Sequence, residues 1–246
     1  MTHITPLHVE KTIDKGFAYT QAFTAQRFPS TGSATRLQQL HPARPTRESF
    51  NPLEILSSGM RVYVVTGNVH KVAELSLALK PFGVELEPLR AEKLEVQSES
   101  LEKIALVAAE HLPPLDKPAI VEDAGLFVKA LNGFPGPYSS YAYKTIGCRG
   151  LLKLMEGVSD REAVFRSVIA LRMPDGSIHL FKGEAAGVIT EEERGTGGFG
   201  FDPVFRPRGS EKTFAEMTTE EKNLYSHRAK AARNLAEWLV RRAKGI

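Results

Sequence analysis

Arg61-Val62-Tyr63-Val64-Val65-Thr66-Gly67-Asn68-Val69-His70-Lys71 is the stretch that decides the fold. Residues 62–65 form a short apolar run, and behind them Val72, Leu75 and Leu79 recur at helical spacing. The reading is strand, turn, helix, with Asn68 placed as the helix N-cap. Free N–H groups and the helix dipole favour an anion at such a junction. The spacing is not that of a Walker A loop, so a capped helix with Lys71 in solvent is the favoured reading of these residues taken alone.

Working outward, residues 84–89 read as a second strand, 101–111 as a second helix and 118–121 as a third strand opening onto Glu122-Asp123. A Gly/Pro-rich turn at 133–137 leads to helical segments over 138–146 and 151–155, assigned to a smaller lobe. Residues 163–173 and 177–189 then form a hairpin through Pro174-Asp175-Gly176. From Ser226 to Arg242, Ala229, Ala232, Leu235, Ala236, Leu239 and Val240 trace an amphipathic helix with a basic, solvated outer face. The class is α/β, with helices covering the sheet on its faces.

The chain has 246 residues, enough to bury a large core, and its 42% hydrophobic and 25% charged content is that of a soluble globular protein. A net charge of +3 over 32 basic and 29 acidic side chains gives no general attraction for nucleic acid, so any anion site has to be local. Cys148 is the only cysteine. That excludes an internal disulfide framework and fits a reducing compartment, and the expected location is cytoplasmic. No apolar run approaches about 18 residues, so no membrane span is expected. Residues 1–59 are rich in Ser, Thr, His, Pro and Arg without lasting periodicity, and are read as an extension that is poorly ordered or outside the catalytic domain. The working domain is taken as 60–246.

Three further segments carry chemistry. Adjacent carboxylates Glu122 and Asp123 at a strand end need a cation or basic group beside them. Magnesium meets that need, with one of Glu95, Glu99 and Glu102 completing the shell, and a solvated acidic loop is the competing reading. Gly195-Thr196-Gly197-Gly198-Phe199-Gly200 matches a dinucleotide fingerprint in letters only, because Pro203 discourages the helix that motif requires. A loop bringing Phe199 against a flat base is the better use of the segment, with core packing as the competing reading of Phe199. Lys222-Asn223 and Ser226-His227-Arg228 cluster three potential cations beside a helix-capping serine.

Five blocks in order resemble the inosine triphosphate pyrophosphatase family: 65–71, 121–126 (Val-Glu-Asp-Ala-Gly-Leu), 131–138 (Leu-Asn-Gly-Phe-Pro-Gly-Pro-Tyr), 198–203 (Gly-Phe-Gly-Phe-Asp-Pro), and 214–217 running on to 221–228. The resemblance covers about residues 61–239. It implies an elongated mixed sheet with flanking helices, two lobes around a central nucleotide cleft, and a homodimer. Thr66, Asn68 and Lys71 are implied to hold the triphosphate. Glu99 and Asp123 are implied to bind magnesium (Mg2+), with Asp123 also activating water and Glu122 supporting it. Phe199 is implied to stack on the base, and Asp202, Lys222, His227 and Arg228 to read or enclose its edge. Two departures stand out: Ala124 where the family commonly has a hydroxyl residue, and Asn132 where it commonly has glycine.

The expected activity is hydrolysis of non-standard purine nucleoside triphosphates (ITP, dITP, XTP) to monophosphate and pyrophosphate, with Asp123 and Lys71 as catalytic groups. Competing readings are a non-catalytic nucleotide-binding protein on the same fold, a nucleic-acid module using the last helix, and a septum-formation-inhibitor-type pyrophosphatase of different base preference.

Overall fold

Strand β1 (Met60–Val64) buries Met60, Val62 and Val64 on one face, as the apolar run requires. The computed structural model describes residues 59–245, and the extension expected over 1–59 lies, apart from Gly59, outside the described residues. The other strands are β2 (Val84–Pro88), β3 (Ala119–Val128), β4 (Pro135–Gly136), β5 (Glu162–Arg172), β6 (Ile178–Ile189) and β7 (Phe205–Pro207). One mixed sheet runs in the order β2-β1-β3-β5-β6-β7, with β4 added to β3 off this path. β1 is parallel to β2 and β3, and the remaining pairs are antiparallel. A mixed sheet with flanking helices is the class read from the sequence.

The helices are α1 (Val69–Leu79), α2 (Leu101–Glu110), α3 (Ser139–Leu154), α4 (Thr219–Tyr225) and α5 (His227–Ala243). Leu75 and Leu79 of α1 and Leu235 and Leu239 of α5 pack with Val62, Ile120 and Ile169 in one core cluster. A second cluster joins Leu101, Ala105 and Ala108 of α2 to Val121, Val168 and Ala170, whose positions alternate with those of the first along the strands. A third gathers Leu126, Val128, Phe165, Phe205 and Phe214 with Leu151 of α3. Each fully buried leucine contributes about 1.5–3 kcal/mol, so packing against the sheet rather than helix propensity holds α5. Gly183 permits that packing, since a Cβ there would strike the backbone of His227 and Ala231.

Four sequence expectations meet the structure informatively. The third strand does not stop at residue 121. It runs to Val128, paired with β5 from Ala119↔Arg172 to Val128↔Ala163, because Leu126 and Val128 are buried in the third cluster. Glu122 and Asp123 are therefore mid-strand residues. The two helical segments expected after the Gly/Pro turn are present as the two halves of α3, parted by a kink at Gly147, whose φ of 63° is non-helical. Asn132 adopts φ 52°, a left-handed conformation that glycine takes without strain and asparagine tolerates, which accounts for that departure from the family pattern. After the Gly-rich segment comes a short 3-10 turn (Asp202–Val204) and then β7, with no long helix.

Candidate active site

The cleft originates in a gap in the sheet. β1 pairs with β3 only at Tyr63↔Ala119 and Val64↔Ile120, and β4 pairs with it only at Leu126↔Gly136 and Phe127↔Pro135. Between those contacts residues 121–125 have β5 on one side and no strand on the other. Strand alternation then puts Glu122 and Ala124 on one face of this open edge and Asp123 and Gly125 on the other. A cleft of about 850 Å³ follows the edge, bordered by the Thr66–Lys71 turn, residues 88–95, the start of α3, the Phe199–Asp202 segment and the start of α5. Gly125 keeps the edge narrow, because a Cβ there would run into the backbone of Gly136.

At one end, Asn68 caps α1 by accepting hydrogen bonds from the N–H groups of His70 and Lys71 at 3.0 and 3.2 Å, and Thr66 Oγ1 accepts from Asn68 N at 3.1 Å. Lys71 does not project into solvent. Its ammonium lies 2.7 Å from Glu122 Oε2, with the side chain 17% exposed.

Glu122 belongs to a buried chain of alternating charge. Its Oε1 accepts from Ser167 Oγ at 2.6 Å and from Arg228 Nε at 3.0 Å. Arg228 Nη1 donates to Glu74 at 2.6 Å, Lys222 Nζ donates to Glu74 at 2.7 Å and to Asp202 at 2.6 Å, and Asp202 accepts from Phe199 N at 2.8 Å. Removing such charges from water is costly, so the arrangement holds only because three cations face three carboxylates. Burial pushes Glu122 and Glu74 upward, but Arg228 with Lys71 and Lys222 reverses this and leaves both carboxyls below their ordinary range. For Asp202 burial wins over Lys222, and the carboxyl lies above its ordinary value.

Asp123 stands apart from this chain, on the other face of the edge. Its Oδ1 is 3.7 Å from Lys93 Nζ, and Glu95 Oε1 is 4.0 Å from the same ammonium. Burial raises the Asp123 carboxyl against the pull of Lys93 and Lys71. Glu95 lines the cleft, whereas Glu99 is exposed and does not. Glu102 is turned away to Lys182, 2.6 Å distant. No group of three or more His, Cys, Asp or Glu side chains suited to a metal occurs among the described residues.

The far end of the cleft is aromatic. The His227 ring stacks on Phe165 with centroids 4.7 Å apart, and desolvation together with Arg228 drives its pKa well below the ordinary value. Its Nδ1 is buried with no partner among the described residues. Phe199 lies near Lys222 Nζ and Arg228 Cζ, 4.9 and 5.4 Å from its ring centroid, and pairs with His70 at 5.4 Å. The structure thus brings Thr66, Asn68, Lys71, Asp123, Phe199, Asp202, Lys222, His227 and Arg228 to one cleft, with Glu122 directly behind Lys71.

Glu74, Ser167 and Lys93 are site residues that sequence reading missed. Glu74 had a signal: it follows Lys71 by three residues and falls on the buried face of α1 with Leu75 and Ala78. Ser167 had none, because only the β3–β5 register sets it beside Ala124 and within reach of Glu122. A shallower groove of about 930 Å³ over Lys129, Arg161 and Arg194 holds none of these residues.

The Ham1 family model matches residues 62–238. A dITP/XTP pyrophosphatase of Hyperthermus butylicus is 57% identical over 179 residues, covering 72% of this chain and 94% of that relative. One from Thermococcus kodakarensis is 50% identical over 186 residues, covering 75% and 100%. Among solved structures, a HAM1 protein from Coxiella burnetii superposes with a TM-score of 0.64 at 30% identity, covering 73% of this chain and 98% of that one. With a cleft built from the same ordered segments that mark the resemblance, and with matches of this extent, the chain belongs to the Ham1 family.

Proposed function

We propose that this chain hydrolyses non-standard purine nucleoside triphosphates (ITP, dITP, XTP) to nucleoside monophosphate and pyrophosphate, a reading supported by relatives described as dITP/XTP pyrophosphatases. The observation that carries the reading is the separation of two charge systems along one open strand edge. Lys71 sits at a capped helix start on one face, and Asp123 faces Lys93 and Glu95 on the other.

Phosphoryl oxygens lie at the positive end of the α1 dipole, with Thr66 and Asn68 shaping the turn by capping its N–H groups and Lys71 balancing charge that develops at the α-phosphoryl group. Glu122, fixed by Arg228 and Ser167, keeps Lys71 extended toward the cleft. Asp123 orients the attacking water and takes its proton, a role favoured by a carboxyl whose pKa burial has raised. The base lies against Phe199, with His227 and Arg228, whose Nη2 has no hydrogen-bond partner among the described residues, at its edge. A 6-oxo purine accepts from such donors. Adenine's 6-amino group does not, and a buried donor left unpaired costs roughly 1–3 kcal/mol.

Asp123 and Glu95 suit a hard divalent cation, since both already converge on one ammonium, and magnesium is commonly held by one or two carboxylates plus phosphate and water oxygens. Bound there, magnesium (Mg2+) supplies Lewis-acid polarisation of the phosphoryl oxygens. Glu99, exposed on the approach to α2 and outside the cleft lining, stands apart from this pair. Residues 60–246 constitute the catalytic domain, acting in the cytoplasm as a homodimer.

Incubation with inosine, xanthosine, adenosine and guanosine triphosphates plus magnesium, followed by product separation, tests the assignment. Monophosphate and pyrophosphate from the inosine and xanthosine substrates support it. Diphosphate and phosphate, or no turnover of any of the four, count against it.

A further inference from the structure

Phe199 is carried by a segment that does little to aim its ring. Residues 195–198 before it are exposed, and its neighbours Gly198 and Gly200 adopt φ of 69° and 63°. The N–H of Phe199 donates to Asp202 at 2.8 Å, which fixes the backbone and leaves the side chain free to turn. A second ring meets it from another element. His70, in the first turn of α1, stacks on Phe199 with centroids 5.4 Å apart and planes 19° from parallel.

The two faces of the Phe199 ring are used differently. Lys222 Nζ and Arg228 Cζ, 4.9 and 5.4 Å from its centroid, belong to buried side chains that line the cleft. His70 is exposed and does not line the cleft, although Asn68 and Lys71 do. A near-parallel imidazole leaves no room for two cations over the same face, so His70 covers the outer face and the other is turned to the cleft. The backing ring is itself anchored. Its backbone N–H donates to Asn68 at 3.0 Å, and Lys71, the next residue, is held 2.7 Å from Glu122.

We infer that His70 is a positioning residue for the base: it backs Phe199 from outside the cleft and holds that ring flat against the purine. The inference rests on the nucleotide reading above, in which the base lies against Phe199, and adds a residue that touches neither substrate nor metal. His70 acts on the base half of the substrate through Phe199, and Asp123 and Lys71 keep the chemistry.

Calorimetric binding of inosine monophosphate and of inorganic tripolyphosphate, which has no base, tests this on the full chain and on His70→Ala and His70→Phe, together with kcat and KM for inosine triphosphate. The position is exposed, and unchanged melting temperatures verify folding. His70→Ala should weaken inosine monophosphate binding and raise KM by about three- to tenfold, the scale of one lost aromatic pair. Tripolyphosphate binding and kcat should stay within about twofold. Phenylalanine carries a ring and no charge, so His70→Phe should restore both nucleotide constants to within about twofold of the parent. Unaltered inosine monophosphate binding in His70→Ala, an equal loss for tripolyphosphate, or no rescue by His70→Phe overturns the inference. The binding arm stands apart from turnover. If the unsubstituted protein binds inosine monophosphate but hydrolyses no nucleotide, the hydrolase reading fails and the binding constants still judge His70; if it does not bind inosine monophosphate, the inference is rejected.

Discussion

Arg228 donates from Nε to Glu122 at 3.0 Å and so fastens the first turn of the last helix to the strand that carries Asp123. Glu122 in turn meets Lys71, so helix, strand and phosphate turn are joined through one buried carboxylate. Catalytic geometry and stability are therefore coupled in this protein, and the predictions divide along that line.

Glu74→Ala leaves Arg228 and Lys222 buried with a missing counter-charge. Breaking one side of a buried ion pair costs about 3–5 kcal/mol. Denaturant unfolding of the variant should show a loss of that size, and a loss below about 1 kcal/mol would mean that the network carries no such strain.

Stability should fall on acidification through Glu74. Its folded carboxyl lies below the ordinary 4.5, so its contribution is fully present above that value and is lost as pH falls through the folded pKa. Asp202, shifted upward by burial, acts in the opposite sense: its contribution is present at low pH and is lost as pH rises through its folded pKa. Urea midpoints measured from pH 7 downward should decline, and Glu74→Gln should flatten the decline. An unaltered slope would assign the acid sensitivity elsewhere.

Asp123→Asn should lower kcat by about 10²–10⁴-fold with little change in KM, the cost of removing a positioned base. Turnover within tenfold of the parent would move the base to another group.

Glu95→Gln should raise the magnesium concentration needed for half-maximal activity, whereas Glu99→Gln should leave it within about twofold, because only Glu95 lines the cleft with Asp123. A magnesium titration of both variants decides between the two carboxylates, and the reverse pattern would restore Glu99 as the ligand.

Arg228→Lys keeps the charge but gives up the fork that serves Glu122, Glu74 and the cleft together. The ratio of kcat/KM for inosine over adenosine triphosphate should shrink by about tenfold, the scale of one lost donor. An unchanged ratio would remove Arg228 from base recognition.

Local chemistry was legible in the sequence wherever a side chain acts on its own neighbourhood. Asn68 caps α1, Ser226 caps α5 by accepting from Ala229 N, and Pro203 halts the Gly-rich segment as a 3-10 turn. The third strand was read too short because two charged residues break its apolar run, and only partners far along the chain show why they are tolerated in mid-strand. Arg228, 106 residues from Glu122, is such a partner. The capping box of Thr218 and Glu221 that begins α4 was present in the sequence and went unread. Glu95 and Glu99 could not be told apart from spacing, since residues 89–100 form no helix or strand that would fix which carboxylate turns inward.

Water attack at the α-phosphorus is tested most directly by turnover of inosine triphosphate in water enriched in oxygen-18, with mass analysis of both products. The account predicts one labelled oxygen in inosine monophosphate and none in pyrophosphate. Label in the pyrophosphate, or release of inosine diphosphate with labelled phosphate, would contradict it.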